Sequence, residues 1–217
     1  TNLLIEINGP EIPIMDGSSK IFINEILNNG LVNQKSKISH LIIKKIFEVG
    51  DKDRFIRYEP TQTSSLEIDY TLKYKDQFIQ KQNFRSKDIR KNVLDIAHAR
   101  TFCHQEDLEK IFAMGLAKGG SLDNAIIISG NKILNQGGLR CKNEFVKHKT
   151  LDCLGDLYLS NYFINGKITC NQGGHELTGC LLKKIFKDKK NYTIKGSDLL
   201  VNFKKKSFNS KEIEVVV

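Results

Sequence analysis

Leu66, Ile68, Tyr70 and Leu72 alternate with Glu67, Asp69 and Thr71. A period of two is met by a strand with one buried and one wet face. That run has neighbours of the same kind. Segments 41–49 and 53–60 are short, rich in Ile, Phe and Tyr, and separated by polar turns, so a group of strands opens the middle of the chain. Helical patterns follow over 88–97 and 106–114, then the apolar run Ala125-Ile126-Ile127-Ile128 as a buried strand. A helix over 142–160, a strand over 161–169 and a helix over 175–186 complete the pattern. Strands grouped early with helices later predict an α+β fold.

Two sections and a tail divide the 217 residues. Residues 1–33 hold one strand at 3–7, a Pro-bracketed loop at 9–13, and a helix to about Leu27. Asp16-Gly17-Ser18-Ser19 offers that helix an N-cap, and Asn28-Asn29-Gly30 ends it. One strand and one helix do not close a core, so this section needs partners that the 217 residues do not contain. The second section runs from about Ser39 to Lys190. The tail, 191–217, shows only a possible strand at 213–217.

The chain is 40% hydrophobic and 27% charged, an ordinary globular composition. No apolar run approaches membrane-spanning length. The first residues carry neither a basic segment nor a long apolar stretch, so no signal peptide is read there. Five cysteines without a CxxC pair fit reduced thiols, and with them a cytoplasmic location. The net charge of +9 is spread out except at Lys183-Lys184, Lys187 to Lys190 (broken by Asp188), and Lys204-Lys205-Lys206. Charge of this size suits a solvated face or an anionic partner. No groove-reading nucleic-acid motif accompanies it, so nucleic acid is not expected.

His148, Asp152 and Asp156 recur at i, i+4 and i+8 on the helix over 142–160 and therefore share one face. An imidazole and a carboxylate one turn apart can reach a single metal ion, and the next carboxylate can orient a neighbouring group. The same spacing also suits a surface hydrogen-bonded pair. His175 follows Gly173-Gly174 at a strand-to-helix junction, open to a substrate or simply capping. Thr101, in a helix-to-loop region, can donate to a substrate oxygen or close a turn. His40, His98 and His104 have no comparable setting.

The string from Gly138 to Tyr158 closely resembles the zinc-binding helix of the UDP-3-O-acyl-N-acetylglucosamine deacetylases of lipid A synthesis. Four further blocks resemble that family in order: Pro10 to Ser18, Ala99-Arg100-Thr101-Phe102, Gly115 to Ala125, and Gly174-His175-Glu176-Leu177. The likeness covers residues 3–186. It implies two similar α+β domains face to face, with the active site between them; residues 1–33 finish the first, incomplete here, and residues 34–190 form the second. It also implies a monomer without stable membrane insertion that releases acetate from UDP-3-O-acyl-N-acetylglucosamine. By matched position, His148 and Asp152 are two of three Zn2+ ligands, and Asp156 supports His175, the oxyanion donor and general acid. Thr101 polarises the scissile carbonyl. Lys149, Phe102, Leu108, Ala117, Gly120, Ser121 and Ala125 are substrate contacts, with Phe102 and the segment 116–125 forming the passage for the acyl chain.

The chain departs from the family pattern at Cys103, usually Gly, at Gln172, usually Lys, and at Thr178-Gly179, usually two Asn. The third ligand, a His preceded by the Glu that acts as general base, matches a position upstream of Thr1. The 217 residues alone are therefore expected to hold zinc poorly and turn over little. The alternative is a non-catalytic remnant of the family.

Overall fold

The structure, a computed structural model, describes residues 3–9, 11–74, 78–115 and 117–197. Pro10, Leu116, Lys204 to Lys206 and the possible strand at 213–217 lie outside the described residues. The architecture is α+β, as the grouping of strands and helices predicts, with eleven strands and five α-helices among the described residues.

The central sheet has the order β2 (Phe47–Gly50), β3 (Phe55–Glu59), β10 (Gly166–Asn171), β4 (Leu66–Leu72), β5 (Gln82–Ser86). In β4 the alternation is realised: Leu66, Ile68, Tyr70 and Leu72 are buried, and the residues between them are partly exposed. Ile56 and Tyr58 of β3 and Ile168 and Cys170 of β10 continue the apolar face. Helices α4 (Glu144–Tyr158) and α5 (His175–Phe186) cover that face, α4 on β4 and β5, α5 on β2 and β3. Each fully buried side chain of this kind contributes about 1.5–3 kcal/mol, so the sheet–helix seam is where the domain's stability concentrates. β10 runs parallel to β4 and antiparallel to β3, and its end leads straight into the loop before α5.

A second sheet joins β11 (Tyr192–Ser197), β1 (Ile38–Ile43) and β9 (Phe163–Ile164). A third, inserted, joins β6 (Thr101–His104), β7 (Ala125–Ser129) and β8 (Lys132–Ile133). Helix α2 (Ile89–Ile96) precedes the insert, and α3 (Leu108–Ala113) lies within it after a 3₁₀ turn at Gln105–Asp107.

Several expectations change. Residues 3–7 do not form a strand: no described strand lies beside them to complete a ladder, and Leu3, Leu4, Ile5 and Ile7 are exposed. The run 41–49 is two strands in different sheets, split at Lys44-Lys45-Ile46. The run 161–169 is likewise divided, into β9 and β10. Tyr192–Ser197, left unassigned, pairs antiparallel with β1, so the tail begins inside the fold.

The first section is tied to the rest by its loop. Helix α1 (Lys20–Asn29) has no fully buried residue. Its N-cap is Ser19, whose hydroxyl donates to Ala97 O at 3.1 Å rather than capping the helix. Gly30, at φ 86°, ends it as expected. Gly17, at φ 75°, is pressed against the Asn124 carbonyl so closely that a Cβ would overlap it. Gly17 O accepts from Thr101 N at 3.1 Å, and Asp16 pairs with Arg140 at 2.8 Å.

Candidate active site

Helix α4 buries Phe145, Val146, Thr150, Cys153 and Leu157. That register leaves His148, Asp152 and Asp156 half-buried along its edge. His148 Nδ1 lies 3.0 Å from Ala99 O. A carbonyl only accepts, so Nδ1 carries the proton and, in the neutral ring, the lone pair is on Nε2. Asp152 Oδ1 faces that nitrogen at 3.2 Å. Two acceptors at this distance require a cation or a proton between them. Two ligands of one tetrahedral ion with bonds of about 2.0–2.2 Å stand roughly 3.3–3.6 Å apart, so a small opening of this pair admits the ion. Asp152 Oδ2 accepts from Lys149 Nζ at 2.7 Å, which fixes the carboxylate from its other side.

One turn on, Asp156 receives His175 Nδ1 at 2.9 and 3.0 Å on its two oxygens. The carboxylate is mostly buried and the imidazole 69% exposed. The acceptor again forces the proton onto Nδ1, which leaves Nε2 for chemistry at the surface. His175 is the first residue of α5, and the preceding loop is drawn tight. A Cβ on Gly173 would meet Cys170 Sγ at 2.2 Å and the Tyr70 hydroxyl at 3.0 Å, so only glycine fits there.

Thr101 is the first residue of β6, not part of a loop, and pairs in register with Ala125. Phe102, next in β6, packs edge-on against Phe145 at 4.8 Å and lies 6.3 Å from the His148 ring. The structure thus brings Ala99, Phe102, His148, Lys149 and Asp152 together, with Asp156 and His175 one turn along α4. Leu108 is half-buried at the start of α3, Ala125 is buried in β7, and Ala117, Gly120 and Ser121 are exposed on the insert loop. Phe112, Met114 and Leu122 give that insert an exposed apolar surface. A cleft of about 250 Å³ opens beside the site, lined by Arg54, Leu72, Tyr74, Lys149, Gln172 and Gly173.

The sequence reading passed over the pair that holds this site together. Arg100 and Glu144 are 6% and 0% exposed and meet at 3.0 Å. Glu144 also accepts from Arg100 N at 3.1 Å and Arg140 N at 2.6 Å, while Arg100 donates to Gly138 O at 2.7 Å. Burial pushes the Glu144 carboxyl up, but Arg100 and the backbone donors outweigh it and hold it below the ordinary range. This clamp joins the strand carrying Thr101 and Phe102 to the first turn of α4. The residues lie 44 apart in the chain, and nothing in their spacing announces the contact.

Comparison with known proteins decides the family. The pattern of the UDP-3-O-acyl N-acetylglycosamine deacetylases, the LpxC family, matches residues 1–187. The chain belongs to the LpxC family. A UDP-3-O-acyl-N-acetylglucosamine deacetylase of Haemophilus ducreyi is 41% identical over 191 residues, 87% of this chain and 62% of the relative. A protein of the same name from Campylobacter hominis is 41% identical over 198 residues, 91% of this chain and 67% of its own length. One from Anaeromyxobacter is 39% identical over 188 residues, 86% and 61%. The chain therefore spans roughly two thirds of these LpxC relatives. Among its described residues no group of three His, Cys, Asp or Glu side chains is placed to hold a metal ion, and no helix is long and apolar enough to cross a membrane.

Proposed function

We propose that this chain carries the catalytic helix and general acid of a cytoplasmic, zinc-dependent deacetylase acting on UDP-3-O-acyl-N-acetylglucosamine in lipid A synthesis. The observation that carries the reading is the pair of acceptors, His148 Nε2 and Asp152 Oδ1, held 3.2 Å apart by outer partners. A backbone carbonyl on the far nitrogen of a His and a fixed carboxylate are what a zinc ligand pair needs. Zinc, when bound, supplies Lewis acidity that acidifies water and polarises a carbonyl at neutral pH.

The chain's own residues supply the rest. Asp156 orients His175 through Nδ1, so Nε2 stands at the surface, where the protonated ring can donate to the oxygen that becomes negative and then pass its proton to the departing amine. Thr101 offers a hydroxyl to the carbonyl from the start of β6. Lys149 contributes positive charge on the cleft wall. Phe102 with the apolar surface of the insert suits an acyl chain, and the cleft's cations suit the nucleotide.

The test is an acetate-release assay on the complete gene product with the UDP-sugar. Loss of turnover with a chelator and recovery with Zn2+ are expected. Unchanged turnover after exhaustive chelation would overturn the zinc reading. Should the acceptors share only a proton, zinc would not bind at all, and direct metal analysis separates that case.

A further inference from the structure

We propose that the far end of α5, together with the turn between β1 and β2 beside it, is a docking face for an anionic phospholipid surface, and that Ile46 is the apolar tip that enters it. The inference does not depend on the function proposed above.

The sequence Lys-Lys-Ile-Phe occurs at 44–47 and again at 183–186, and the fold sets the two copies against each other. Asn191, buried behind them, makes the join. Its Nδ2 donates to Ile185 O at 2.9 Å, and its carbonyl oxygen accepts from Lys44 N at 2.9 Å. Lys184 Nζ donates to Glu48 O at 2.9 Å, which fastens the helix end to β2.

Lys44 and Lys45 are exposed on the turn, and Lys183, Lys187, Lys189 and Lys190 on the helix end and the 3₁₀ turn that follows it. The carboxylates among them are already engaged. Glu48 holds Arg57 at 3.0 Å, and Asp188 caps the 3₁₀ turn by accepting from Lys190 N at 2.8 Å. The last turn of α5 offers about half a unit of negative charge, and Lys183 and Lys184 within it more than balance that. The corner is therefore strongly positive. At about 1.5 Å per residue it lies about 16 Å along α5 from His175, so it is separate from the cleft.

Charge alone would serve any polyanion; Ile46 favours lipid. Its neighbour Phe47 is buried, whereas Ile46 is 51% exposed directly after two lysines. Such a residue gains by entering the acyl boundary while the ammonium groups stay with the phosphates. A single-stranded nucleic acid would use aromatic rings for stacking. Here Phe186 and Tyr192 pack edge-on against each other at 5.0 Å, and Phe47 is taken by the core. Among the described residues no helix is long and apolar enough to cross a membrane, so the contact is adsorption to a surface.

The experiment sediments the 217-residue chain with vesicles of phosphatidylcholine alone and of phosphatidylcholine mixed with phosphatidylglycerol. Binding is expected on the anionic vesicles only, and it should weaken as salt rises. Lys44→Gln with Lys45→Gln, or Lys187→Gln with Lys190→Gln, is expected to weaken it about twentyfold. Ile46→Ser is expected to weaken it about threefold and to leave binding of poly-uridylate unchanged. All five positions are exposed, and equal urea midpoints check that the fold survives. Equal binding to both vesicles, anionic binding that both double variants retain, or Ile46→Ser that weakens nothing overturns the proposal. Binding to poly-uridylate with none to anionic vesicles overturns it too, and makes the corner a nucleic-acid surface.

Discussion

His148 and His175 each have one ring nitrogen held by an acceptor, and the acceptor decides what the other nitrogen does. The Ala99 carbonyl leaves the His148 Nε2 lone pair for a metal; the Asp156 carboxylate fixes the His175 ring with Nε2 at the surface. Their substitutions should therefore separate. In the complete gene product, His175→Ala is expected to cut turnover at least about a hundredfold with zinc retained, because it acts on the transition state. Asp152→Ala is expected to lose zinc and turnover together. Metal analysis beside the assay checks this, and equal zinc loss in both variants would mean the roles are misassigned. Asp156→Asn should keep zinc and lower turnover, because the ring that donates to the transition state loses its fixed orientation.

At the scale of elements, α4 works because its first turn is clamped. Glu144 ends four contacts in one carboxylate, three from Arg100 just before β6 and one from Arg140 N in the loop before α4. Glu144→Gln leaves Arg100 charged and buried without its counter-ion, and is expected to cost about 3–5 kcal/mol in urea unfolding. Pairing Glu144→Gln with Arg100→Met should recover part of that loss. Because the folded Glu144 pKa is lowered, its contribution is complete above the ordinary value of 4.5 and is lost as pH falls through the lower folded value. Stability measured across that acid range should drop less steeply in the double variant than in the wild type.

Over the whole molecule, cohesion is uneven. The central sheet and α4 and α5 share one apolar core, whereas α1 buries nothing fully and is tethered through Asp16, Gly17 and Ser19. Native-state hydrogen exchange should show α1 amides opening well before those of β3, β4 and β10. Comparable protection in both would contradict that view. The proposed pair His148 and Asp152 is one short of the three protein ligands a catalytic zinc site normally uses, so the 217-residue chain by itself is expected to lose Zn2+ on dialysis and release little acetate. Stoichiometric zinc after dialysis would show that a further donor completes the site.

Much of this was legible from the sequence where the cause is local. The alternation in β4, the boundaries of α5 and the shared face of His148, Asp152 and Asp156 follow from periods of 2 and 3.6, which need no distant partner. Motif order was enough for the family. What tertiary structure decided lies where a residue's state depends on a neighbour far along the chain. Residues 3–7 are apolar enough for a strand but have no described partner to pair with, while Tyr192–Ser197 became one because β1 offered an edge. The Arg100–Glu144 clamp joins segments whose nearness in space no local period encodes. A strand needs a ladder and a buried charge needs its counter-charge, and only the folded chain brings those together.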